Sequence, residues 1–218
     1  ISGHWEKYRE NIFLTEYEKR TFAVKPMNCP GGMLVYKSNP KSYKDLPLRM
    51  AELGIVHRQE LSGVLGGLFR VIQFTQDDAH IFCTEEQTEE EIVNIIDLIS
   101  KIYKKFNLEF DHVELSTRPE KRIGAEKQWD MAEKFLEDIL KKRKMKYKIN
   151  KGEGVFYGPK IDFHIKDSLG RTWQTATIQL DFLMPERFDL EYTDRDNKKK
   201  RPIIIHRTVY GSLERFIG

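Results

Sequence analysis

The sequence predicts an α+β fold: a mainly antiparallel β-sheet flanked by helices. Most strand-like segments are joined by short, hairpin-type connections, and the two long helical segments lie together mid-chain. A doubly wound parallel sheet would instead interleave helices with strands. The chain has 218 residues, of which 39% are hydrophobic and 11% aromatic. That is enough to bury a substantial core, and residues 1–218 are expected to form a single domain.

The first sixty residues are dense in turn signals, at Lys25-Pro26, Cys29-Pro30-Gly31-Gly32, Asn39-Pro40 and Leu46-Pro47. Between them, Thr21 to Val24 reads as a short strand and Met33 to Lys37 as a short helix. Leu48 to His57 is mostly apolar and predicts a strand. Ser62-Gly63-Val64-Leu65-Gly66-Gly67 follows as a flexible turn, then Leu68 to Phe74 as a second strand in hairpin relation to the first, and Ala79 to Cys83 as a third. Thr84-x-x-Gln87 fits a capping box, with acidic residues crowding the first turn. Ile92, Ile95, Ile96, Ile99, Ile102, Tyr103 and Phe106 then recur at helical spacing.

Phe110 to Leu115 reads as a strand. Ala125 to Lys142 predicts a second helix, with Trp129, Ala132, Phe135, Leu136, Ile139 and Leu140 on one face. Tyr147 to Ile149 is strand-like. Val155 to Ile165 and Thr172 to Phe182 are long strand candidates joined by the turn Asp167-Ser168-Leu169-Gly170. Ile203 to His206 is a further short strand, and Thr208 to Ile217 reads as a helix.

Composition excludes several classes. No apolar run reaches membrane-spanning length, and the mean hydropathy is −0.58. Two cysteines make no disulfide framework, so a reducing compartment, cytoplasm or organellar matrix, is expected. A net charge of +3 does not by itself indicate a nucleic-acid partner. Walker A, G-x-G-x-x-G, H-E-x-x-H and C-x-x-C patterns are all absent, which argues against a P-loop ATPase, a Rossmann enzyme and a zinc ribbon. The chain starts without Met and reads as a piece of a longer protein.

Several polar residues sit where a purely structural strand would not want them: Arg58 and Glu60, Arg70, Gln76-Asp77-Asp78, His80, and Gln174, Thr177 and Gln179. Tyr157-Gly158-Pro159-Lys160 presents an aromatic and a cation on a turn, and Arg215 sits near the end. Several arginines on one sheet face suit a polyphosphate, because a guanidinium fork binds phosphate oxygens bidentately. For each arginine alone, a cross-strand ion pair is the commoner arrangement. Cys29, His80 and His206 would make a zinc site with one open position. From spacing alone, buried or hydrogen-bonded side chains are the commoner arrangement.

Longer stretches resolve these alternatives. They include Ser2-Gly3-His4-Trp5, Lys25-Pro26-Met27-Asn28-Cys29-Pro30-Gly31, His57-Arg58-Gln59-Glu60 and Phe74-Thr75-Gln76-Asp77-Asp78-Ala79-His80. Phe156-Tyr157-Gly158-Pro159-Lys160, Gln179-Leu180-Asp181-Phe182 and Gly211-Ser212-Leu213-Glu214-Arg215-Phe216 continue them. Collinear over nearly the whole chain, these resemble the catalytic core of the threonyl-tRNA synthetases, class II aminoacyl-tRNA synthetases. The resemblance implies the class II catalytic fold, with motif 2 from about Leu48 to Phe74 and motif 3 from about Ile203 onward. Motif 1, the editing domain and the anticodon-binding domain are expected to lie outside the chain.

It further implies that Cys29, His80 and His206 hold one zinc ion, which selects the hydroxyl amino acid. Asp78, Gln76, Tyr157 and Gln179 are implied to bind threonine. Arg58, Glu60, Arg70, Phe74, Gln174, Thr177 and Arg215 are implied to bind ATP with Mg²⁺. Arg58, Arg215 and Lys160 would stabilise charge during adenylate formation, and His4 would lie near the terminal ribose of tRNA(Thr) as proton acceptor; an ordered loop histidine is the alternative. The full-length protein is expected to be a homodimer, with no membrane association. Two departures from the family pattern, Gly32 for His and Ile72 for Arg, motivate a competing reading as a synthetase-like module that binds without catalysis. A third reading, a serine or proline enzyme, is opposed for proline by the zinc trio.

Overall fold

The computed structural model describes residues 2–218. In chain order its elements are α1 (His4–Lys7), β1 (Leu14–Tyr17), β2 (Arg20–Ala23), α2 (Cys29–Lys37), β3 (Leu48–His57), β4 (Gln73–Cys83), α3 (Thr88–Lys105) and β5 (His112–Ser116). They continue with α4 (Glu126–Lys142), β6 (Lys148–Asn150), β7 (Lys160–Lys166), β8 (Thr172–Asp181), α5 (Met184–Arg187), β9 (Tyr192–Thr193), β10 (Lys199–Lys200), β11 (Ile203–Thr208) and α6 (Leu213–Ile217).

Seven strands form one sheet in the order β3-β4-β11-β8-β7-β5-β6. All its pairings are antiparallel except β5 with β6. That parallel pair is joined through α4, the crossover that parallel neighbours require. The α+β expectation therefore holds. No helix among the described residues is long and apolar enough to cross a membrane.

The two faces of the sheet differ because its strands alternate. On one face, the stripe Ile92, Ile95, Ile96 and Ile99 of α3 and the stripe Ala132, Leu136 and Ile139 of α4 pack on Ile81, Leu115, Ile161, Phe163, Ile178 and Ile205. Ile99 and Leu136 are completely buried, so truncating either to Ala costs about 2–5 kcal/mol. On the other face, Met33 and Tyr36 of α2 and Met184 of α5 cover Phe82 and Ile204. Polar side chains occupy much of the rest of that face, and the cleft lies there.

One expectation is corrected. Leu68 to Phe74 and Ala79 to Cys83 are not separate strands: β4 runs unbroken over Gln73–Cys83 and pairs with β3 from Leu48↔Phe82 to His57↔Gln73. Gly66 and Arg70 close a tight turn on each other, with N···O distances of 3.0 and 3.2 Å, so the ladder begins only beyond it. β4 continues through its acidic centre because those carboxylates are satisfied. Asp77 accepts the backbone N–H groups of Val209, Tyr210 and Gly211 at 2.7, 3.0 and 3.2 Å, and Asp78 accepts from Asn28 Nδ2 at 3.2 Å. Left bare, buried carboxylates would oppose a strand there.

Three boundaries also move. α2 starts at Cys29 because Pro30 suits a first helical turn, where its missing N–H goes unneeded. β7 starts at Lys160 because Val155 and Gly158 close a turn; a Cβ on Gly158 would lie 1.9 Å from the Leu180 carbonyl oxygen. Gly211, at φ +78°, ends the extended run after β11, and Ser212 then caps α6 by accepting from Arg215 N at 3.1 Å. The capping box at Thr84 forms, with Gln87 Oε1 accepting from Thr84 N at 3.0 Å, one turn before α3.

Candidate active site

Strand register alone assembles the floor of the cleft. Met50, His80, His206, Gln179, Lys160, Ser116 and Asn150 stand directly opposite one another across the seven strands. Two positions along, Thr177, Asp162 and Glu114 make a second row. The cleft above them measures about 710 Å³. It brings together Arg58, Glu60, Arg70, Phe74, Gln76, Asp78, Tyr157, Lys160, Gln174, Thr177, Gln179 and Arg215 with Cys29, His80 and His206. Among the expected site residues, only His4 lines a neighbouring concavity instead.

At one end, the ligand atoms of Cys29, His80 and His206 all lie within 4.8 Å of one another, and all three residues are buried. Cys29 opens α2, while the two histidines are register partners on β4 and β11. His206 Nε2 donates to Asp181 Oδ2 at 2.9 Å, the kind of carboxylate contact that fixes the tautomer of a metal-binding imidazole. His80 Nε2 is buried with no hydrogen-bond partner. An orphaned ring nitrogen of this kind is destabilising until something binds it.

Burial pushes His80 down to about 4, and pushes the Cys29 thiol well up, with Asp78 and Asp181 reinforcing the latter. A neutral imidazole beside a thiol that ionises only when a cation arrives is a donor set that fits zinc. Gly32 faces His80, and a Cβ there would meet His80 Nδ1 at 3.4 Å. His4 Nε2 lies 3.0 Å from Met27 Sδ and 3.8 Å from Cys29 Sγ. Burial, then the charges of His206 and Arg58, bring His4 down to about 4, so it is neutral at pH 7.

Beside the trio, Asp78 Oδ1 is 3.9 Å from His80 Nε2. Tyr157 donates to Gln179 Oε1 at 2.8 Å, and its ring lies 5.0 Å from that of His206. This end offers a carboxylate, an amide and a phenol around the candidate metal position.

The other end is cationic. Arg58 lies over the Phe74 ring at 5.1 Å and donates to the Pro26 carbonyl at 3.1 Å. Arg70 makes two bonds to Glu60 Oε2, at 3.1 and 2.8 Å. Arg215 is held by the carbonyls of Phe69 and Gln174 at 2.8 and 3.0 Å, over the Trp173 ring. Burial and the neighbouring Arg70 push the Arg215 pKa down. Crowded guanidinium groups on a partly buried wall favour a polyanion.

Sequence reasoning missed the residue that ties these groups together. Asp162 is buried and accepts from Lys160 at 2.6 Å, Ser116 at 2.7 Å, Gln174 at 2.6 Å and Thr177 at 3.0 Å. Lys160, Asp162 and His164 alternate with Ile161, Phe163 and Ile165, and that period of two was the available signal. Asp77, named only as part of a polar run, holds the turn leading to Arg215.

Known proteins give this arrangement a class. The family described as tRNA synthetase class II core domain (G, H, P, S and T) matches residues 13–218, and the chain belongs to that family. More narrowly, it is 62% identical over 217 residues to the threonine–tRNA ligase of Caldanaerobacter subterraneus subsp. tengcongensis. It is 61% identical over 217 residues to that of Acetivibrio thermocellus. Each match covers 100% of this chain and 34% of the relative, so the chain spans about a third of the length of these curated relatives.

The RNA-binding domain of threonyl-tRNA synthetase from Cryptosporidium parvum Iowa II superimposes with a TM-score of 0.94 and 46% identity, over 99% of this chain and 54% of that one. A putative threonyl-tRNA synthetase, ThrRS-1, from Aeropyrum pernix matches at 0.80 and 36%, over 100% of this chain and 51% of that one.

Proposed function

We propose that this chain is the threonine-activating core of a threonine–tRNA ligase. The observation that carries the reading is the convergence of Cys29, His80 and His206 within 4.8 Å, on a cleft that also holds Arg58, Arg215 and Lys160. Zinc held by the trio would take the amino group and the hydroxyl of threonine, expanding from four- to five-coordinate as both donors bind.

Around the metal position, the Asp78 carboxylate accepts a hydrogen bond from the hydroxyl. Gln179, oriented by Tyr157, supports the same group, and Tyr157 faces the amino group. A site built to satisfy a hydroxyl leaves its own polar groups unpaired against valine, a penalty that can reach about 10⁴–10⁵-fold in discrimination. Serine keeps the hydroxyl and is therefore expected to be activated measurably.

The cationic end takes ATP with Mg²⁺. Phe74 and Glu60 receive the adenine, Gln174 and Thr177 the ribose, and Arg215 the γ-phosphate, with Arg70 between adenine and γ-phosphate. Arg58 and Gln76 stand where the threonine carboxylate meets the α-phosphate. A carboxylate oxygen attacks the α-phosphorus in line, the bond to the β-phosphate oxygen breaks, and pyrophosphate leaves. Arg58 and Lys160 neutralise the charge that develops. The 3′-adenosine hydroxyl of tRNA(Thr) then attacks the adenylate carbonyl and releases AMP, with neutral His4 taking the hydroxyl proton. The assembled enzyme is a homodimer of the cytoplasm or an organellar matrix.

ATP–pyrophosphate exchange on the full-length protein tests this. Robust exchange with threonine, weaker exchange with serine and silence with valine are expected. Equal exchange with valine would remove the hydroxyl-selecting site. Threonine binding without any exchange would instead mark a binding module.

A further inference from the structure

A second set of metal-binding groups lies on the same sheet face, toward the β6 edge. His112 and Glu114 are alternate residues of β5, and His164 stands directly opposite His112 on β7. Their ligand atoms all lie within 4.8 Å of one another. The two imidazoles stack with centroids 4.3 Å apart at 11°. Glu114 bridges them: Oε1 is 3.3 Å from His112 Nε2, and Oε2 is 3.4 Å from His164 Nε2. Around a tetrahedral ion with bonds of about 2.0–2.1 Å, neighbouring donors stand about 3.3–3.4 Å apart. Each nitrogen already has one Glu114 oxygen at that separation, Oε1 for His112 and Oε2 for His164.

A plain hydrogen-bonded cluster explains less. His164 Nε2 is buried and has no hydrogen-bond partner, so the ring has an unused nitrogen turned toward the cluster. His112 Nδ1 lies 2.6 Å from Asp111 Oδ2, and Lys166 Nζ lies 2.7 Å from Oδ1 of the same carboxylate. With its proton shared with Asp111 at Nδ1, the ring would turn Nε2 to an ion seated beside Glu114. Asn150 Nδ2 donates to Glu114 Oε2 at 2.7 Å. Carboxylate behind histidine and amide behind carboxylate are the outer contacts that orient metal ligands. All three side chains keep partial solvent access, so an ion has a way in.

We propose that His112, Glu114 and His164 form a second binding site for a divalent transition-metal ion of the zinc, cobalt and nickel class, separate from Cys29, His80 and His206. Two imidazole nitrogens and one carboxylate oxygen leave a fourth position for water. The ion ties β5 to β7. Because His164 also lines the cleft, it adds positive charge to the wall that carries Lys160 and Gln174.

The test is a Co²⁺ titration of the protein carrying Cys29→Ser, which disables the thiolate site. One tightly bound equivalent is expected, with visible ligand-field absorption and no thiolate-to-cobalt charge-transfer band. Adding His112→Gln and His164→Gln together removes that equivalent, while the far-UV circular dichroism of the metal-free protein stays unchanged. Asp111→Asn weakens binding by about 10–100-fold. The proposal is overturned if the Cys29→Ser protein binds no cobalt, or if the folded His112→Gln, His164→Gln variant binds as tightly as its parent.

Discussion

At one end of the cleft, Cys29 and His80 are buried and held in their uncharged forms. At the other, Arg70 leaves 48% of its side chain exposed and is already paired with Glu60. The contrast follows from what each end must bind. A dication loses its water on entry, so the protein offers dry, neutral donors that become favourable only once the ion arrives. A polyanion needs cations that stay ionised, so these remain near solvent or against carboxylates and carbonyls until phosphate replaces them. One sheet face carries both: His80, His206 and Lys160 stand on β4, β11 and β7, Cys29 opens α2 above them, and the arginines come from the connection between β3 and β4 and from α6.

The sharpest way to break this comparison is Cys29→Ser. It should remove zinc from the trio and drop threonine-dependent exchange to background, while the cationic end still binds ATP in equilibrium dialysis. Parallel loss of ATP affinity would mean that the two ends are not separable.

Asp162→Ala acts where the ends meet. Lys160 and Asp162 are 13% and 3% exposed, and removing one partner of a buried pair costs about 3–5 kcal/mol. Urea unfolding should show that loss, and Lys160→Met added to it should recover part.

Arg215→Ala should lower kcat/KM for ATP by about 10²–10³-fold, the effect typical of one charge-stabilising donor. Arg70→Ala should cost only about tenfold, because its pair with Glu60 already offsets much of its charge. Equal effects of the two in steady-state exchange would remove the distinction between a fixed cation and a pre-paired one.

How much of this was legible beforehand varied with the physics of each piece. The helices α3 and α4 were readable because a stripe at helical spacing has a single structural use. The polar positions Gln174, Thr177 and Gln179 were readable as anomalies, and they do lie along the cleft. Cys29, His80 and His206 were not legible from spacing: they come from three elements, and only strand register and the packing of α2 unite them. Family resemblance supplied what spacing could not. Asp162 and His112 escaped notice because a polar residue in a strand is ordinary until its cross-strand partners are known. The loop before β4 misled for the opposite reason. Leu68 and Ile72 read as strand residues, yet both are exposed, in and just after the turn that Gly66 and Arg70 close.

The finest separation between the two ends is by pH. Burial brings His80 and His4 from 6.5 to about 4, and lowers His164 in the same direction. The unfolded chain therefore takes up these protons first. The stability that depends on their neutral forms is complete above about pH 6.5 and is lost as pH falls from there to about 4. The slope can reach about 1.4 kcal/mol per pH unit for each of His80 and His4. Asp111 and Asp167, held near 2, act below this window, and the guanidinium groups stay charged throughout it. Urea unfolding of the metal-free protein across the window should show stability rising with pH. His80→Asn should flatten the slope and Arg70→Ala should leave it unchanged; the reverse pattern would move the pH-sensitive element to the cationic end.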